Sequence, residues 1–100
     1  MKPYSVDIQK SPKKGKKLVA IFKDKDGKIV KQTHFGAEGM SDFTIHKDKE
    51  RRKRYRNRHR KDLDTGDFRR SGYLSWYVLW GDSSDLQTAI KDYKKRFKLK

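Results

Sequence analysis

Two groups of residues in this chain have the types and spacing to do chemistry. The first is Lys49 to Lys61, KERRKRYRNRHRK, where nine lysines and arginines surround a single glutamate. Arginine outnumbers lysine there, and its planar guanidinium matches two phosphate oxygens at once where an ammonium offers a point charge. The run therefore points to a polyanion. The second group lies just before it: Asp42, His46, Asp48 and Glu50. Carboxylates beside an imidazole can hold Mg²⁺ and cut phosphodiesters, so a metal-dependent nuclease is one functional reading. A simpler account uses Asp42 and Asp48 as turn and N-cap residues, and Glu50 at the positive end of a helix. His34, His46 and His59 stand twelve and thirteen residues apart, unlike the short-gap pairs of zinc sites. No cysteine nucleophile, P-loop or dinucleotide-binding glycine pattern occurs, since GAEG at Gly36 to Gly39 lacks both the spacing and the following helix. The expectation is a protein that is not an enzyme and carries no metal or cofactor.

Composition extends the charge argument to the whole chain. With 28 Lys and Arg against 13 Asp and Glu, the formal net charge is +15 in 100 residues. Such a chain repels itself until a polyanion neutralises it; nucleic acid is the commonest, and an acidic membrane surface the next. Insertion into a membrane is not expected, because the longest apolar run is the short YLSWYVLW at Tyr73 to Trp80, against about 18 residues for a span. The N-terminus has neither a hydrophobic core nor a small-residue cleavage site, so secretion is not expected. Zero cysteine excludes disulfides and thiolate metal sites and suits a reducing compartment.

The elements that must position these residues are readable. Residues 1–17 hold both prolines and a KSPKKGKK run, which reads as a basic arm with at most a short strand at Tyr4 to Gln9. Residues 18–100 read as one domain. LVAIF at Leu18 to Phe22 is a strand, DKDG at Asp24 to Gly27 a turn, and Ile29 to Phe35 a returning strand. Leu18, Ala20 and Phe22 share one face and Val19 and Ile21 the other, which predicts cover on both sides. Asp42 to Asp48 reads as a bend or short strand.

The basic run reads as a helix capped by Asp48 and ending near Asp62 to Gly66. Tyr55 and His59, one turn apart, are expected to anchor it, leaving the ridge Arg52, Arg56 and Arg60 exposed. Tyr73, Trp76, Tyr77 and Trp80 at i, i+3, i+4 and i+7 predict a helix over Ser71 to Trp80 whose aromatics are core, with base stacking the competing use. A capping box at Ser84 to Gln87 opens a last helix to about Phe97, with Leu86, Ala89, Ile90, Tyr93 and Phe97 inward. Five Tyr and two Trp supply area that the sparse aliphatic residues do not, but the core is small. A partner or homo-oligomer could complete it.

His34-Phe35-Gly36, Gly39, the SDFTIHKD segment at Ser41 to Asp48, the pairs Arg54-Tyr55 and Arg58-His59, and Trp76 to Trp80 resemble a family of small basic proteins encoded by large double-stranded DNA viruses of algae and amoebae. The likeness covers roughly residues 34–97. In similar sequences a proline often follows the aspartate at the place of Asp48, and Pro or Thr often precedes the last helix; Lys49 and Ser83-Ser84 stand there instead. That family supplies a setting rather than an activity. The resemblance implies a virally encoded protein, carried in the virion or acting in the host cytoplasm or nucleus.

The expected fold is α+β, a hairpin of two to three antiparallel strands against two to three helices. The expected function is nucleic-acid binding without sequence preference, double-stranded DNA first, for compaction or packaging of a viral genome. Arg51, Arg52, Arg54, Arg56, Arg58, Arg60 and Lys61 are the expected phosphate contacts, with Lys13, Lys14, Lys16 and Lys17 as auxiliary contacts from the arm. A small virion structural protein that pairs its charge with acidic capsid or core proteins is the second reading, and the nuclease the third.

Overall fold

Alternating apolar residues and one aspartate-glycine turn build the centre of the fold. The computed structural model describes residues 3–100; Met1 and Lys2, counted above with the basic arm, lie outside the described residues. Strand β2 (Lys16–Lys23) turns through Asp24, whose carboxylate accepts from the Asp26 and Lys28 amides at 2.9 and 3.0 Å, and returns as β3 (Ile29–Ala37). Gly27 takes φ 84°, where a side chain would be strained.

Strand β1 (Ser5–Lys10) pairs antiparallel with the other side of β2, giving the order β1-β2-β3. It is a full member of the sheet rather than part of an arm. Val6 lies opposite Phe22 and is buried, and the chain's last residue clamps the strand: Val6 N–H donates to Lys100 and Lys100 N–H to Tyr4, both at 3.1 Å. The period-two pattern of Val6 and Ile8 against Asp7 and Gln9 is too short to distinguish from an extended arm in the sequence alone. Of the KSPKKGKK run, Lys10 and the residues from Pro12 to Lys16 are exposed, while Ser11 is buried and Lys17 half-buried.

Among the described residues there are four helices: α1 (Phe43–His46), α2 (Lys49–His59) running on as a 3₁₀ segment (Arg60–Thr65), α3 (Ser71–Leu74) widening into a π turn (Ser75–Leu79), and α4 (Leu86–Arg96). The fold is α+β, a three-stranded antiparallel sheet with helices against it. Val6, Leu18, Ala20, Phe22 and Phe35 share one core with Leu74, Val78, Leu79, Ile90 and Tyr93. The expected cover on both faces forms in part. Val19 is buried at 3 % exposure and Ile21 is half-buried, outside that core and on a face they share with Asp7, Gln9, Gln32 and His34.

Three local expectations change. Asp42 to Asp48 holds α1 rather than a strand, because the Asp42 carboxylate caps the Thr44 amide at 2.8 Å and starts a helical turn. In the Ser71 to Trp80 segment the fully buried residues are Leu74, Val78 and Leu79; the four aromatics are only half-buried and surround that core. Tyr77 and Trp80 pack against that core as the stripe predicts, while the positions buried most deeply lie beside it. The α4 cap falls one residue later than expected. Asp85 accepts from the Thr88 amide at 3.0 Å, while Ser83 Oγ accepts the Asp85 N–H at 3.1 Å.

Candidate nucleic-acid interface

Helix α2 buries no residue completely, so what holds it is a set of partly buried contacts. It starts because Asp48 accepts from the Glu50 and Arg51 amides at 2.9 and 3.3 Å, and because its arginines and lysines are good helix formers. It is held to the body by Arg52, Tyr55 and Arg56, with His59 stacked on Tyr55 within the helix and hydrogen-bonded to Asp62. The Tyr55 ring lies between His59, centroids 4.2 Å apart, and Trp80, 4.3 Å apart and within 5° of parallel. Burial in this stack, with Asp62 nearby, pushes the Tyr55 hydroxyl up to about 12.

Arg52 and Arg56 do not form the exposed ridge that their spacing predicts. Arg52 Nη1 donates to the carbonyls of Gly81 and Asp82 at 3.2 and 3.4 Å, with its guanidinium 4.5 Å from the Phe43 ring centre. Arg56 donates from Nε to the Trp80 carbonyl at 3.0 Å and from Nη2 to Asp82 Oδ1 at 3.1 Å. The π turn ends at Leu79 and leaves carbonyls without helical partners, and two arginines one turn apart satisfy them. Gly81 makes this possible. A Cβ there would lie 2.2 Å from the Tyr77 carbonyl oxygen, so only glycine lets the chain turn this tightly.

What remains for a ligand is the outward face. Lys49, Arg51, Lys53, Arg54, Arg58, Arg60 and Lys61 are all exposed. Among the described residues none of them forms an ion pair. Arg51, Arg54 and Arg58 lie at i, i+3 and i+7, a continuous ridge of guanidinium groups. Lys13, Lys14 and Lys16 are exposed on the β1–β2 turn. Lys17 is not available with them. Its ammonium donates to Asp42 Oδ2 at 2.5 Å and to the Met40 carbonyl at 2.7 Å, and the pair's side chains are 21 % and 2 % exposed. A buried carboxylate holding a lysine in place leaves that charge neutralised inside the fold.

The acidic and imidazole group is likewise occupied. Asp42 serves Thr44 and Lys17, and Asp48 serves the first amides of α2. Among the described residues no three of His, Asp and Glu cluster so as to hold a metal ion. Two further cations converge with the basic turn in a cleft beside β3, Arg69 and Arg70. Nothing local in the sequence singles them out, because their role depends on the pairing that brings β3 and the segment before α3 together.

Residues 6–59 match a family of unknown function, DUF5754. The chain belongs to that family. The matched span takes in almost all of the sheet, α1 and the whole of α2. No curated protein and no solved structure matches the chain.

His46 couples the start of α2 to the aromatic stack. Its Nδ1 accepts the Asp48 N–H at 2.8 Å, so the ring proton resides on Nε2, which is buried without a partner among the described residues. The ring centre lies 5.3 Å from that of Trp80. Burial first, and the Arg51 cation second, push the imidazole below its ordinary 6.5, against weaker pulls from Asp48 and Asp42. Because the folded value is depressed, the unfolded chain takes up the proton first. The stability owed to neutral His46 is therefore present above about pH 6.5 and is lost as the pH falls. The melting temperature is expected to drop between pH 7.5 and 5.5, and to drop less in His46→Gln. Parallel melting profiles for the two proteins would exclude this role.

Proposed function

We propose that this protein binds nucleic acid through phosphate, without sequence preference, with duplex DNA as the favoured form. The proposed role is compaction or packaging of a genome, a viral one as the sequence resemblance implies, in the virion or the infected cell. The observation that carries the reading is the outward face of α2 and its 3₁₀ continuation, seven exposed cations with no carboxylate partner among the described residues. Holding them on one short helix is electrostatically unfavourable, and a polyanion removes that cost. Phosphate contacts of this kind fix position without reading bases. Lys13, Lys14 and Lys16 add to the same electrostatic attraction.

The test is salt. Each phosphate neutralised releases condensed counterion, so about six contacts give a log–log slope of affinity against salt near −5 on duplex DNA. Duplexes of unrelated sequence are expected to bind alike. A flat salt response would remove the nucleic-acid reading and leave the charge to an acidic protein partner, most directly a virion protein.

A further inference from the structure

We propose that the chain carries a second phosphate-binding surface, a basic cleft beside β3, and that with both surfaces occupied one molecule bridges two nucleic-acid segments. The inference rests on the nucleic-acid reading of α2 and adds a second site to it. The cleft has a volume of about 830 Å³. Lys13 and Lys16 reach it from the β1–β2 turn, Lys31 and His34 from β3, and Arg69 and Arg70 from the segment before α3.

Three stretches distant in sequence thus bring Lys13, Lys16, Lys31, Arg69 and Arg70 to one hollow, and of its two carboxylates only Asp67 neutralises one of them, Arg69. Asp62 is hydrogen-bonded to His59 at 3.0 Å. Asp67 is taken by Arg69, which donates to it from Nε at 3.0 Å and holds its carboxyl below the usual carboxylate range. Arg70 stands 3.7 Å from the same carboxylate with its side chain 63 % exposed, a loose contact of little energy. Lys13, Lys16 and Lys31 form no ion pair among the described residues.

The occupant that fits is a phosphodiester backbone. No Phe, Tyr or Trp lines the cleft, so it offers no platform on which unpaired bases could stack. The hollow is far larger than one phosphate requires, whereas a chain of phosphates would meet the turn, the strand and the loop in succession. None of the outward cations of α2 lines it. The cleft charges are therefore a set separate from those of α2, which is the condition for holding a second duplex.

The experiment uses two short duplexes of different sequence, one immobilised and one fluorescent, with the full chain added at low salt. The parent is expected to bind the immobilised duplex and capture the fluorescent one. Lys31→Gln with Arg70→Gln is expected to lower capture by about tenfold or more, while binding to a single duplex changes by less than about threefold. Should that variant melt below the parent, Arg70→Gln alone, at a side chain 63 % exposed, gives the same readout. A parent that binds one duplex but never captures a second, or cleft variants that capture as well as the parent, overturns the bridging inference and leaves the α2 reading standing. A parent that binds no duplex at all overturns both.

Discussion

Replacing Arg51, Arg54 and Arg58 by glutamine is expected to weaken duplex binding by well over an order of magnitude and to make the salt slope shallower by about 3, one unit for each phosphate no longer neutralised. Stability is expected to hold. Among the described residues these side chains have no ion-pair partner, and Gln is nearly as good a helix former as Arg. Removing three like charges also relieves repulsion along the helix. Two measurements decide it, affinity titrated across salt and a melting curve of each protein. An unchanged slope would show that α2 is not the binding face. A melting temperature lowered by many degrees would show that these arginines hold the fold rather than a ligand.

The choice of those three residues depends on what the sequence could and could not convey. Local signals were legible: the DKDG turn, the strands β2 and β3 on either side of it, the Asp48 cap, the helical character of the basic run and its stop at Gly66, which takes φ 67°. So was Tyr55 as an anchor, since its ring stacks on Trp80, while His59 stacks on Tyr55 within the helix. Arg52 and Arg56 were not legible as anchors. Hydrophobic periodicity counts them as outward, yet they complete the i, i+3, i+4, i+7 stripe and find carbonyls at Trp80, Gly81 and Asp82 that only the tertiary fold brings near. Lys17 was misplaced for a related reason: its partner Asp42 lies 25 residues away. The β3 cleft had no signature at all, since its charges come from three separate segments. In a chain this rich in arginine, charge count locates the binding helix, but only partners tell the working charges from the structural ones.

The last expectation concerns those structural charges and the ring they flank. Tyr55→Ala removes a ring stacked on both Trp80 and His59; truncating a well-packed aromatic costs about 3 to 5 kcal/mol, and the half-buried setting here favours the lower end. For a domain of 100 residues each kcal/mol shifts the melting temperature by about 4 to 8 °C, so a fall of more than about 10 °C is expected. Tyr55→Phe keeps both stacks and is expected to lose far less. Arg52→Gln with Arg56→Gln strips charge-assisted hydrogen bonds from the carbonyls at the end of the π turn, at about 1.5 kcal/mol for each arginine given their partial exposure. Both changes are expected to release α2 before the sheet, because α2 has no fully buried residue of its own and the sheet does. Amide exchange read along the chain separates the cases: protection is expected to fall across Lys49 to His59 while β2 keeps its own. DNA binding would then weaken because the helix presenting the outward arginines no longer holds its place, with those arginines all still present. If Tyr55→Ala left both the melting temperature and the exchange of α2 as in the parent, the aromatic stack would not be what holds the helix, and its seven outward cations would need another support.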